Sequence, residues 1–222
     1  MSYITAHQLS KMYGSGDAAV SALRDVSFQI NSGEFVGIMG ESGSGKSTLL
    51  SIMGAMNSPS SGSFAVDDID VYALRQEQRA DFRREFLGFV FQSFHLVPYL
   101  TVLENVMLPL TTIAMPAKAK REKAAAALNS VGLGQKGARL PNQISGGEQE
   151  RVAVARAIVN EPPVLLADEP TGNLDTKNTR DLMELLQRLN GNGMTVIMVT
   201  HSQECAAVAR RILRIKDGRL AE

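Results

Sequence analysis

Three short stretches combine residue types and spacings suited to phosphate chemistry. Residues 40–48 read GESGSGKST, so Gly40, Glu41, Ser42, Gly43, Ser44, Gly45, Lys46 and Ser47 fit the pattern G-x-x-x-x-G-K-[ST], with Thr48 following. Its glycines let successive backbone N–H groups turn inward around phosphate oxygens. Lys46 would add positive charge at the β and γ phosphates, and Ser47 would offer a hydroxyl to Mg²⁺. Residues 164–169, VLLADE, form an apolar run ending in two carboxylates. Side chains alternate along a strand, so Asp168 and Glu169 need not share a task. Asp168 suits the Mg²⁺ shell, reached through water, and Glu169 suits a general base that polarises an attacking water. The third stretch, ISGGE at 144–148, opens an apparent helix with Ser145, Gly146 and Gly147. Bare N–H groups at a helix start can grip an anion, although Ser145 could equally be an ordinary N-cap.

These groups need elements to hold them. Residues 21–30 are β-rich and end in the turn Asn31-Ser32-Gly33, and 34–40 read as a short buried strand. The glycine-rich loop then leads into a helical pattern from Ser47. A short strand is expected at 63–68, a charged helix at 74–86 and a strand at 87–91. Residues 101–133 have helical periodicity interrupted at Pro109 and Pro116, and 147–160 form another helix. After Pro162-Pro163 the expected order is strand (164–168), helix (176–189), strand (194–200), helix (203–209) and a hairpin turned at Asp217-Gly218. Gln92 and His201 each stand at the exit of an expected strand, the edge where α/β sheets bind ligands. The predicted organisation is one domain over residues 1–222. In it an α/β core with an N-terminal β portion (1–92 and 161–222) is interrupted by a helical lobe at 93–160.

The chain has 222 residues, with 23 Lys+Arg against 23 Asp+Glu and a formal net charge of zero, which argues against a general nucleic-acid surface. Cys205 is the single cysteine; it rules out a disulfide within the chain, fits a reducing compartment and reads as a small buried side chain. Residues 86–103 carry no Asp, Glu, Lys or Arg, but Gln92, Ser93, His95 and Pro98 interrupt them, so a spanning helix is not expected. The reading is a soluble cytoplasmic protein that reaches a membrane only through a partner.

Together these residues resemble the ATP-binding-cassette (ABC) ATPase family along essentially the whole chain. In the family's order, Tyr13 matches the aromatic A-loop, GESGSGKST Walker A, Gln92 the Q-loop, ISGGE the signature, VLLADE Walker B, GNLD (172–175) the D-loop and His201 the switch histidine. The resemblance implies a P-loop NTPase (RecA-like) core with an antiparallel β subdomain and an inserted α-helical subdomain. It implies ATP and Mg²⁺ as ligands, with Gln92 beside Ser47 and Asp168 at the metal and His201 beside Glu169 in catalysis. Two cassettes would pack head to tail, each ATP lying between one Walker A and the partner's signature helix. Ser145, Gly146, Gly147, Glu148 and Asp175 would then serve the partner's nucleotide, which explains a second glycine-rich site. Ile144 stands where Leu is usual, and Glu148 where Gln is common. The region 91–110 is similar to the branch of lipoprotein-releasing and macrolide-exporting ATPases. The expected function is an ATP-hydrolysing subunit that powers an integral membrane permease-like partner, by transport or mechanotransmission, at the cytoplasmic face of the membrane. Phe94, Leu96 and Tyr99 are expected at the docking surface. An ATP-gated recruitment clamp for a membrane partner in cell division is the alternative, marked by slow unstimulated turnover. A nucleic-acid or ribosome role ranks last, because long insertions or a second cassette would be needed.

Overall fold

The computed structural model describes residues 2–221. Two long strands, β1 (Ser2–Tyr13) and β2 (Val20–Asn31), form an antiparallel pair that β4 (Ser61–Val66) and β5 (Ile69–Asp70) extend into a sheet of order β2-β1-β4-β5. The second sheet holds β3 (Phe35–Met39), β6 (Leu87–Val90), β7 (Val164–Asp168), β8 (Thr195–Val199), β9 (Arg211–Lys216) and β10 (Arg219–Ala221), in the order β10-β9-β3-β8-β7-β6. Its pairs are parallel except the β9–β10 hairpin. The central strands are buried along nearly their whole length and mostly apolar because both faces are covered.

Each face has its own core. Val36, Ile38, Leu166, Ile197 and Val199 point toward the antiparallel sheet and α1 (Lys46–Met53), packing with Ile4, Leu23, Leu49 and Phe64. Phe35, Leu165, Ala167, Val196 and Met198 point the other way. There they meet α3 (Val102–Met107), α4 (Ala117–Ser130), α5 (Gly146–Ile158) and α6 (Thr176–Gly191). The mixed α/β architecture has the antiparallel portion, the parallel core and the intervening helices of the expected fold class. The helices between β6 and β7 share one continuous apolar cluster with the sheet face, so the insertion has no core of its own.

Most boundaries lie within a few residues of expectation. The charged helix, α2, spans Gln76–Phe86. The last helix, α7, is Gln203–Ala206, shorter than the expected 203–209. Ser202 caps its start, accepting from the Cys205 N–H, and the chain then turns so that the Arg210 N–H reaches the Phe35 carbonyl and β9 can begin. Cys205 is buried. No helix among the described residues is long and apolar enough to cross a membrane.

Candidate active site

The sheet sets the geometry. Gly37, Met198, Ala167 and Val90 are paired across β3, β8, β7 and β6 in one row. All four strands run the same way, so the glycine-rich loop, His201, Asp168-Glu169 and Gln92 emerge side by side at their carboxyl ends. This is the ligand edge of an open α/β sheet.

The loop between β3 and α1 is braced from behind: the Gly218 N–H donates to the Ser44 carbonyl at 3.0 Å, from the β9–β10 turn. Gly45 has φ +107°, and a Cβ there would stand 2.4 Å from the Ala22 carbonyl oxygen, so only glycine fits. Lys46 is buried, and its Nζ donates to the carbonyls of Gly40 and Glu41 at 2.9 and 2.7 Å. The Ser44 hydroxyl is buried without a hydrogen-bond partner. A buried ammonium held by neutral carbonyls, beside an orphan hydroxyl, fits an incoming phosphate.

Ser47 Oγ donates to Asp168 Oδ1 at 3.5 Å. Burial raises the Asp168 carboxyl above the ordinary range and the neighbouring Glu169 charge raises it further, while the Ser47 hydrogen bond and Lys46 pull it down. A divalent cation at this hydroxyl–carboxylate pair would relieve both penalties. Mg²⁺ keeps waters and phosphate oxygens among its ligands, so one hydroxyl and one carboxylate from the protein would be enough to hold it. Glu169 leaves β7 in the left-handed conformation, φ +46°, with its N–H on the Val199 carbonyl at 3.0 Å. The turn brings its Oε2 to 3.2 Å from His201 Nδ1.

Other expected residues stand differently. Gln92 is exposed, and the Asn173 amide donates to its carbonyl at 2.9 Å. Its own side-chain nitrogen lies over Gly172, 2.9 Å from where a Cβ would be, rather than bonded to Ser47 or Asp168. Tyr13 is 43% exposed, its hydroxyl meets the Asn57 amide, and Lys11 stands 5.1 Å from its ring centroid. Ser145 is an N-cap: its Oγ accepts from the Glu148 N–H, and its own N–H donates to Glu148 Oε2. The Glu148 carboxylate is thus turned back onto its own helix and toward Lys136, at 3.5 Å, and the backbone hydrogen bond from Ser145 chiefly lowers its pKa. Asp175 caps α6, accepting from the Asn178 N–H and side-chain amide at 2.8 Å each. No hydrogen bond or ion pair among the described residues joins Ser145, Gly146, Gly147 or Glu148 to the loop at 40–48 of the same chain. Leu96 packs against the core, while Tyr99 is 80% exposed.

Sequence reasoning missed Asn178 and Arg156. A Cβ at Gly147 would fall 2.1 Å from Asn178 Oδ1, so Asn178, bonded to Asp175, packs directly against the start of the signature helix where glycine leaves room for it. Asn178 carried a signal, three residues after an Asx N-cap; Arg156 carried none, because its partners are 61 and 62 positions away.

The sequence profile of the family described as ABC transporter matches residues 23–172. The macrolide export ATP-binding/permease protein MacB of Hyphomonas neptunium is 45% identical over 98% of this chain, which spans 34% of that relative's length. An uncharacterised ABC transporter ATP-binding protein of Methanocaldococcus jannaschii is 44% identical, covering 99% of this chain and 98% of its own. Among solved structures, the ATP-binding cassette MJ0796, a dimer in a post-hydrolysis state with ADP and Pi, aligns with a TM-score of 0.90 at 42% identity, over 99% of this chain and 97% of that one. The cbiO1 subunit from Clostridium perfringens, part of the transporter complex cbiONQ, aligns with a TM-score of 0.88 at 28% identity, over 100% and 87%.

Proposed function

Because the chain belongs to the ABC transporter family, with relatives in its macrolide-exporter branch, we propose that it binds and hydrolyses ATP as the motor subunit of a membrane complex. The observation that carries this reading is the single row of strand exits, which gathers Lys46, Ser47, Asp168, Glu169 and His201 at one edge. The loop N–H groups and Lys46 hold the phosphates, and Tyr13 stacks on the base. Ser47 and Asp168 would hold Mg²⁺, with Gln92 as a further candidate ligand, and the ion would neutralise phosphate charge. Glu169 accepts a proton from the attacking water, and His201, bonded to it, fixes the carboxylate's direction.

A second cassette of the same kind supplies the other wall, presenting Ser145, Gly146 and Gly147 to the γ-phosphate. The dimeric MJ0796 structures support a pairing of two cassettes. Glu148 supports that wall by fixing the helix start, and Asp175 by fixing the neighbouring turn. MacB joins ATP-binding and permease functions under one name, and cbiO1 sits in a transporter complex, which supports an integral membrane permease-like partner for this chain. The protein would then lie peripherally on the cytoplasmic face of the membrane. A cleft of ≈ 340 Å³ between α2, β6 and α5, walled by Arg83, Leu87, Phe89, Leu108 and Pro109, offers the partner a concave seat.

Glu169→Gln tests the chemistry. The amide fills the same space but accepts no proton, so the variant should bind ATP, lose more than 99% of hydrolysis, about 3 kcal/mol or more of barrier, and accumulate as an ATP-bound dimer in gel filtration. Hydrolysis near the wild-type rate would remove Glu169 from the role of base.

A further inference from the structure

The segment after β6 makes an improbable turn. Phe94 and His95 are consecutive non-glycine residues with φ +48° and +47°, two and three positions beyond Gln92. Left-handed backbone is unfavourable for such side chains and persists only where neighbours impose it. The neighbour here is Arg156 on α5. One terminal guanidinium nitrogen donates to the His95 carbonyl and the other to the Phe94 carbonyl, at 2.5 and 2.6 Å. The segment is also anchored at both ends. Asn173 holds the Gln92 carbonyl, and the fully buried Asn105 bonds Val97, Leu100 and Thr101. Arg156 fastens the middle.

We infer that Arg156 is a positioning residue for ATP hydrolysis: its two-pronged grip on Phe94 and His95 sets where Gln92 stands and ties that loop to the helix headed by Ser145 and Gly147. The inference rests on the role proposed above for Gln92. A planar guanidinium spans two adjacent carbonyls at once, whereas the ammonium of lysine satisfies one direction at a time. Charge alone is therefore not enough. The same rigid helix carries the partner-facing Ser145 at its start and the grip on the loop near its end, so docking of the second cassette and placement of Gln92 become one event.

The test is a double-mutant cycle on the purified protein with Mg-ATP, comparing wild type, Gln92→Ala, Arg156→Lys and the double variant. Affinity for a fluorescent ADP analogue is measured alongside kcat and KM. Arg156→Lys should lower kcat about tenfold while ADP affinity stays within twofold. The double variant should hydrolyse at the rate of Gln92→Ala alone, because a loop already lacking its glutamine has nothing left to misplace. Multiplicative losses, a wild-type kcat in Arg156→Lys, or a parallel fall in ADP affinity would each overturn the inference. A wild-type kcat in Gln92→Ala would instead overturn the reading of Gln92 and the inference with it, so the two failures are told apart. If Arg156→Lys does not fold, Arg156→Gln enters the same cycle with the same two outcomes. Adding His95→Gly, which adopts the left-handed turn at lower cost, should restore part of the lost kcat; no recovery would count against the loop as the route.

Discussion

Lys46 and Tyr13 touch different ends of the same ligand and should fail differently. Lys46→Ala removes the buried ammonium that waits at Gly40 and Glu41. Nucleotide affinity should fall by two orders of magnitude or more in equilibrium titration, since hydrogen bonds to charged groups are worth about 1.5–3 kcal/mol and the phosphates lose two or more of them. Tyr13→Ala leaves the phosphate grip whole. Stacking on a base is worth about 1–3 kcal/mol, and the Lys11 cation and the Asn57 amide already occupy part of this ring's surroundings. The expected result is a fivefold to tenfold higher KM with kcat changed less than twofold. An unchanged KM would leave Tyr13 as an exposed tyrosine with no part in binding. The placement of the loop residues and of Glu169 at one sheet edge was legible because their types sit at fixed spacing after apolar runs. Arg156 and Asn178 were not, because their importance lies in what the fold brings to them.

Helix α5 carries two opposed features. Its start is well capped by the Ser145–Glu148 pair, and Ser145→Ala should cost about 1 kcal/mol of stability by urea denaturation. Its interior buries Glu150 completely, with neither carboxylate oxygen partnered, and burial pushes this acid from an ordinary value near 4.5 up to about 8 despite the pull of Arg156. The folded state therefore holds this proton between those values while the unfolded chain releases it. Stability from Glu150 is fully present below pH 4.5 and is lost as pH rises through 8. Glu150→Gln cannot titrate. Melting curves should show little difference from wild type at pH 5 and an advantage for the variant at pH 9, on the order of 3–5 kcal/mol. A constant offset across that range would mean the carboxyl finds partners that keep it ionised. An acid inside a helix is visible in the sequence; its complete burial depends on three layers meeting, which periodicity does not encode. Elsewhere short continuous apolar runs located the strands of the parallel core, whereas α7 fell short because the chain had to reach Phe35 to begin β9.

For the molecule as a whole, the question is what covers the surface between α2 and α5. Residues 86–103 carry no Asp, Glu, Lys or Arg, and the structure divides that stretch: Leu96 supports the core and Tyr99 stands in solvent. A charge at Leu96 would test folding, so Tyr99→Asp is the informative change. The isolated variant should melt within 2 °C of wild type and bind ATP normally, while co-purification with the membrane subunit falls severalfold. Normal recovery of the complex would move the docking surface away from Tyr99.

The strand order carries one more consequence, in the timing of synthesis. The phosphate loop is made well before the strands that flank it: β3 pairs with β8 on one side and β9 on the other, both of which begin after Met194. The Gly218 N–H that braces Ser44 comes later still. A nascent chain therefore carries its nucleotide motif as loose polymer until β8 and β9 have left the ribosome, and contacts between distant segments are slow to form. Ligand cannot guide the early steps; it can only lock in the last one. A chain halted after Gly191 contains the glycine-rich loop, the signature helix and both acidic residues, and should still bind no fluorescent ADP.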